Sequence, residues 1–340
     1  MDMGILPEQA IRALIEDGVI TQNRSDEDSL PPLVQPASLD LQLGQTAYRM
    51  RASYLPGSDG RVEDTLDELC LHTIDMSEGA VLETGCVYLI PLREILNLPD
   101  SLSAAANPKS STGRLDVFTR VICDGATQFD SVPTGYSGPL YVEVAPRTFP
   151  ILVRPGDRLV QLRFRRGAPS IIDTLTVSID LHGVEGSDII GWRARRHAGL
   201  VDLRGIAAHQ ARDYWEPLYA PNGQLVLDPE EFYILASQEA VSIPHDQAAE
   251  MAPIAPEIGE FRAHYAGFFD PGFGLAEAGG KGSRAVLEVR GRDVPFLLKH
   301  GQAVAKLVYE PLSTPPLTLY GSEGSHYQLQ GLRLSKHFAL

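Results

Sequence analysis

Gly138-Pro139-Leu140-Tyr141-Val142-Glu143-Val144 opens on a turn signal and then alternates, with Leu140, Val142 and Val144 on one face and Tyr141 and Glu143 on the other. That is the pattern of a short β-strand. Ser38-Leu39-Asp40-Leu41-Gln42-Leu43-Gly44, Cys86-Val87-Tyr88-Leu89-Ile90 and Leu159-Val160-Gln161-Leu162-Arg163-Phe164 have the same grammar, again bounded by Gly and Pro. Short strands punctuated in this way predict an all-β barrel or sandwich with a few short helices. Leu6 to Ile15 has apolar residues at helical spacing with Pro7 near its start, and predicts one of those helices.

The grammar is repeated at a fixed distance. Val81-Leu82 recurs as Val226-Leu227, Pro99 as Pro244, Val142-Glu143-Val144 as Leu287-Glu288-Val289, and Gly156 as Gly301, each 145 residues later (81 to 226, 156 to 301). A constant offset across separate landmarks means two copies of one domain. Thr176 to Leu181 echoes the Ser38 segment, which sets the expected domains at 1–168 and 169–340. The copies part company at one place. Pro108-Lys109-Ser110-Ser111-Thr112-Gly113-Arg114 becomes Pro253-Ile254-Ala255-Pro256-Glu257-Ile258-Gly259, so only the first copy keeps hydroxyls and cations there.

A net charge of −15 excludes a broad basic surface for nucleic acid. Two local basic runs, Arg163/Arg165/Arg166 and Arg193/Arg195/Arg196/His197, read as solvated faces or a subunit contact. Cys70, Cys86 and Cys123 form no CxxC pair, and an odd count fits a reducing cytoplasm. No secretory leader and no membrane-length apolar run is expected. The nine histidines never reach a metal-ligand spacing, and neither His-x-Glu nor Pro-Cys-x-x-Cys is present, so no metal site and no zinc is expected. Gly279-Gly280-Lys281-Gly282-Ser283 lacks the spacing of a phosphate loop and reads as a flexible turn.

Lys109 to Arg114 can wrap an anion through hydroxyls, backbone N–H groups and a two-pronged guanidinium, although such stretches are also ordinary loops. Glu143 would serve as a proton shuttle if its face lines a site, and would be a plain strand glutamate otherwise. Glu288 sits in the same setting in the second copy.

Jointly these segments resemble the dCTP deaminases. Gln35 to Gly44 resembles their first signature, Pro108 to Leu115 their phosphate motif, Gly135-Tyr136-Ser137-Gly138 through Glu143 their catalytic segment, and Arg154 to Leu162 the strand that follows. Tyr320 and His326-Tyr327-Gln328-Leu329-Gln330-Gly331 resemble their closing tail. The resemblance implies two tandem dUTPase-like distorted β-barrels, a homo-oligomer with sites between barrels, and zinc-free deamination of dCTP to dUTP. It implies that Glu143 takes a proton from the water that attacks C4. It also implies that Ser110 and a carbonyl near Cys123 hold that water and that Arg114 organises the site. Lys109, Ser111, Thr112 and Gly113 would meet phosphates, and Asp130 the sugar hydroxyl. Tyr141 and Val142 would border the nucleotide, Tyr320 would pack near the base or sugar, and His326, Tyr327 and Gln330 would close on the phosphates. Mg²⁺ would arrive with the triphosphate, and dTTP is an expected inhibitor.

The first copy departs from the family's Asp-Pro-Gly hairpin, reading Asp130-Ser131-Val132-Pro133-Thr134-Gly135, while the second keeps Asp270-Pro271-Gly272. This predicts a composite site, with the tail and a hairpin wall supplied by the second copy. Two alternatives stay open at this stage. One is a bifunctional enzyme that goes on to dUMP, with Asp40, Asp124 or Asp130 placing a second water. The other is a deoxynucleotide-binding regulator without catalysis.

Overall fold

Residues 3–23, 31–183, 186–253, 261–264, 267–278, 282–322 and 331–340 are described by the structure, a computed structural model. The chain divides into a first unit (Met1–Ser170, Leu200–Arg204, Leu312–Leu317) and a second (Ile171–Gly199, Gly205–Pro311, Thr318–Leu340).

The first unit begins with β1 (Gly4–Ile5), α1 (Glu8–Glu16), β2 (Ile20–Gln22), β3 (Leu33–Gln35), β4 (Ser38–Leu41) and β5 (Thr46–Met50). A short helix α2 (Leu66–Leu69) leads to β6 (Cys70–Asp75), β7 (Ala80–Leu82), β8 (Val87–Asn97) and β9 (Leu102–Pro108). Then come α3 (Ser110–Gly113), β10 (Val117–Cys123), β11 (Ser131–Val132), β12 (Ser137–Pro146), β13 (Ile151–Val153) and β14 (Val160–Arg166). One sheet runs β11-β9-β14-β4-β3, with β1 also on β14. The other runs β10-β12-β8-β5-β6, with β2 also on β8, and β7 pairs with β13. Pro7 stands immediately before α1, where a missing N–H costs nothing, and Ile11 is fully buried.

The second unit contains β15 (Asp173–Ser178) and β16 (Gly191–Ala194), whereas β17 (Val201–Asp202) pairs with β13 of the first unit. It continues through β18 (His209–Gln210), α4 (Ala211–Tyr214), β19 (Trp215–Leu218), β20 (Gln224–Leu227), β21 (Phe232–Val241) and β22 (Gln247–Pro253). It closes with β23 (Phe261–His264), β24 (Phe268–Phe269), β25 (Ser283–Gly291), β26 (Phe296–Lys299), β27 (Ala303–Pro311) and β28 (Phe338–Ala339). Its sheets run β15-β27-β22-β24 and β19-β16-β21-β25-β23, and β20 pairs with β26 and β18 with β28. Its core gathers Val177, Leu235, Leu287, Val289 and Leu307.

The sequence repeat is a repeat of hydrogen-bond register. Val81 faces Leu152 and Val226 faces Leu297. Ala106 faces Leu162 and Met251 faces Leu307; Ile90 faces Val142 and Leu235 faces Leu287. Each pair moves by the same 145 residues read from the sequence (81 to 226, 162 to 307). Gly156 and Gly301 recur for a physical reason. Both hold positive φ (82° and 77°), a conformation that costs a side chain, while donating N–H to Leu43 and Ile179.

One-sided alternation does not survive folding in the central strands. Glu143, Gln161 and Arg163 are all buried, so these strands are covered on both faces. Arg163 is therefore not on the solvated face that its basic run predicts. In the second run, Arg193 and Arg195 pair with Glu216, and Arg196 pairs with Glu231. Residues 279–281 of the expected glycine turn lie outside the described residues.

Candidate active site

Lys109 immediately precedes α3, and the chain turns there because its N–H and the Thr112 hydroxyl both donate to the Leu159 carbonyl, at 2.9 and 2.8 Å. Those two bonds tie the hydroxyl-rich segment to Leu159, the residue immediately before β14. Lys109 and Ser110 are half-buried; Ser111, Thr112, Gly113 and Arg114 are buried. The Lys109 ammonium makes an ion pair with Oδ2 of Asp40, a residue with no exposed surface. Oδ1 of Asp40 has no hydrogen-bond partner among the described residues.

Glu143 lies on β12 directly opposite Arg120 on β10. The carboxylate is 3% exposed, and its Oε1 accepts from Arg120 Nε at 3.0 Å and Nη2 at 2.6 Å. The same guanidinium donates to Ser53 Oγ at 2.7 Å and lies 3.6 Å from the Phe129 ring centroid and 4.8 Å from that of Phe118. Oε2 of Glu143 takes no hydrogen bond among the described residues. The charge is thus matched at one oxygen, and the other remains able to receive a proton.

The neighbourhood is dry enough to shift phenols. Burial, then the charges of Asp124 and Glu143, push Tyr54 up to about 12, and its hydroxyl donates to the Val62 carbonyl at 2.5 Å. Tyr141 is pushed up by burial and by Glu63, whose carboxylate accepts its hydroxyl at 3.0 Å. Burial holds the Cys123 thiol up at about 11, so it is a neutral side chain at physiological pH, and its carbonyl accepts the Ala126 N–H. Val142 is fully buried between Tyr141 and Glu143.

Asp130, expected to meet the sugar hydroxyl, lies in the connection between β10 and β11. It holds φ 60°, and its carboxylate caps the Val121 N–H at 2.7 Å, a local backbone role. The duplicated unit shows the true counterpart of Asp270. Ser131 faces Ala105 as Phe268 faces Glu250, and Leu98 donates to Tyr136 as Ile243 donates to Phe273. Counting on from those anchors sets Asp270-Pro271-Gly272 against Pro133-Thr134-Gly135, and Gly135 and Gly272 both keep positive φ. The extra length of the first copy therefore lies before β11, between Cys123 and Ser131, and not in the hairpin itself.

Tyr320 lies in the second unit, where its N–H donates to Pro271 and its ring packs on Phe273. His326, Tyr327 and Gln330 lie outside the described residues. Glu288 is buried as Glu143 is, and the register position opposite it belongs to His264. Among the described residues no group of three or more His, Cys, Asp or Glu is arranged to hold a metal ion, and no helix is long and apolar enough to cross a membrane.

Sequence reading missed Arg120, Ser53 and Phe129. Arg120 is a lone arginine in the apolar run Val117 to Val121, but only the hairpin register reveals that it faces Glu143.

A family model described as the N-terminal domain of 2'-deoxycytidine 5'-triphosphate deaminase matches residues 2–168, and one for the C-terminal domain matches 161–338. The crystal structure of 2'-deoxycytidine 5'-triphosphate deaminase from Agrobacterium tumefaciens is 52% identical, with a TM-score of 0.85, covering 92% of this chain and 100% of that one. A dCTP deaminase of Natronomonas pharaonis is 30% identical over 168 residues, 47% of this chain and 79% of that protein. A Methanopyrus kandleri protein named "dCTP deaminase, dUMP-forming" is 30% identical over 167 residues, 48% of this chain and 82% of that protein.

Proposed function

The chain belongs to the dCTP deaminase family, and from that membership we propose that its first repeat, residues 1–168, carries the reaction while 169–340 is a partly degenerate copy. The enzyme converts dCTP and water to dUTP and ammonia. Its fold is dUTPase-like and mostly β. The reading as a regulator without catalysis is set aside.

One observation carries the assignment of the base: a buried carboxylate, Glu143, held through one oxygen and, among the described residues, open at the other. In our reading Glu143 Oε2 removes a proton from water as its oxygen bonds to C4 of cytosine. The proton passes to the ring nitrogen; Glu143 then carries the C4 hydroxyl proton to the amino group, and ammonia leaves as the C4–N bond breaks and the C4=O bond forms. Ser110 and the Cys123 carbonyl position that water, and the buried Arg114 supports the wall behind it. Ser111, Thr112 and Gly113 meet the triphosphate, which arrives as its Mg²⁺ complex. Lys109 serves there only by sharing its charge with Asp40. Zinc takes no part, a reading supported by the absence of zinc-deaminase motifs from the sequence. A homo-oligomer in the cytoplasm, inhibited by dTTP, completes the proposal.

The name dUMP-forming among the relatives favours a second reading, in which dUTP is cleaved further. Asp40, whose Oδ1 has no partner among the described residues, is our candidate to place the second water.

Incubating dCTP and Mg²⁺ with enzyme and resolving the products tests both readings. Chelator-resistant dUTP supports the zinc-free deaminase, and dUMP supports the second. Glu143→Gln should lower kcat by at least about a thousandfold and leave dCTP binding intact. Normal turnover in that variant would remove Glu143 from the mechanism.

A further inference from the structure

We infer that Arg120 is the positioning residue for the general base, an inference that rests on the reading of Glu143 as that base. Two N–H groups of one guanidinium converge on a single oxygen, Oε1, at 3.0 and 2.6 Å. A carboxylate held by one oxygen through two donors cannot exchange its oxygens by rotation without breaking both bonds. Oε2 is thereby kept in one place, free of protein partners among the described residues. The reaction needs that constancy, because the same oxygen must take a proton from water and hand it to a ring nitrogen.

The guanidinium is itself fixed from three directions. Phe129 stacks on it at 3.6 Å, Phe118 lies at 4.8 Å, and Ser53 accepts from Nη2 at 2.7 Å. These residues come from β10, from the segment after β5, and from the connection between β10 and β11. That connection is the stretch in which the first copy is longer than the second: Cys123 to Ser131 in the first, His264 to Phe268 in the second. Stacking on an aromatic face and a fork of donors are properties of Arg that Lys lacks.

The duplication supplies an independent comparison. Arg120 faces Glu143 in register, and His264 takes the corresponding position opposite Glu288. The arginine is present in the copy that keeps Ser110, Ser111 and Arg114, and missing from the copy that lost them. A guanidinium needed only for folding would serve either barrel equally well.

Steady-state kinetics on the full-length chain test this. Arg120→Ala should lower kcat for dCTP about a hundredfold and leave KM within about threefold. Arg120→Lys should recover no more than about a tenth of wild-type kcat, because one ammonium cannot make the fork. Free guanidinium at tens of millimolar should raise kcat of Arg120→Ala severalfold, which replacement of a merely structural side chain would not do. A dCTP-dependent rise in melting temperature reports whether each variant is folded, and Arg120→Gln replaces Arg120→Ala if that variant is not. A kcat within twofold of wild type, a rise in KM in place of a fall in kcat, or failure of guanidinium to rescue would overturn the inference. Glu143→Gln is assayed alongside. If it turns over normally, the base assignment fails; if it is dead while Arg120→Ala is normal, only the role of Arg120 fails.

Discussion

Glu94 shows how burial at one residue sets a property of the whole chain. Its carboxylate accepts the Gln42 N–H at 2.9 Å and the Gln22 amide at 3.2 Å, and it is 1% exposed. Burial is the largest influence and pushes it up to about 7 from an ordinary value of 4.5. Folded Glu94 therefore keeps its proton across a range in which the unfolded chain has lost it. Stability from this group is fully present below about pH 4.5, falls as pH rises, and is gone above about pH 7; the total is on the order of 3 kcal/mol. Urea unfolding of the wild type and Glu94→Gln at pH 5 and pH 8 checks this. The variant should lose less stability between the two values, and identical pH dependence in both proteins would refute it. Cys123 illustrates the same force, since burial first, and then the charge of Asp124, holds its thiol neutral.

At the scale of elements, a four-residue helix has no stability of its own and must borrow it. α3 borrows it from the residue that leads into β14, Leu159, whose carbonyl accepts both the Lys109 N–H and the Thr112 hydroxyl. Thr112→Val keeps the shape and deletes one of the two bonds. Loss of about 1 kcal/mol in unfolding free energy is expected, together with a fall in kcat/KM, because the anion-binding residues ride on that turn. Thermal melts and dCTP kinetics check both; unchanged values would mean that the Lys109 N–H anchors α3 unaided. The strands themselves were legible from alternation and from Gly-Pro punctuation. Burial on both faces of β12 and β14 was not, because alternation reports side-chain polarity and Arg163 or Glu143 can be buried when another group neutralises or solvates it.

For the whole molecule, duplication turns one sequence into its own control. Glu288 shares the burial and strand position of Glu143 but lacks a neighbouring Ser-Ser-x-x-Arg segment. Glu288→Gln should leave kcat within about twofold of wild type, while Glu143→Gln abolishes it. A loss of comparable size in both variants would show that the two copies act together in catalysis. The basic runs expected to lie at the surface divide at this scale too: Arg163 is buried, while Arg193, Arg195 and Arg196 are spent on acidic neighbours of their own unit.

Local chemistry in the chain determined the β class, the α1 helix, the twofold repeat with its 145-residue step (81 to 226), and the hydroxyl-rich segment at Lys109 to Arg114. Those features depend on spacing along the backbone, which a linear reading measures directly. Tertiary structure decided the partners. Arg120 meets Glu143 across 23 residues of chain and Lys109 meets Asp40 across 69. Register likewise set Asp270 against Pro133 in place of Asp130. Such pairings follow from strand register, and register depends on the lengths and turns of intervening loops, so a side chain's partner is fixed only when the sheets close.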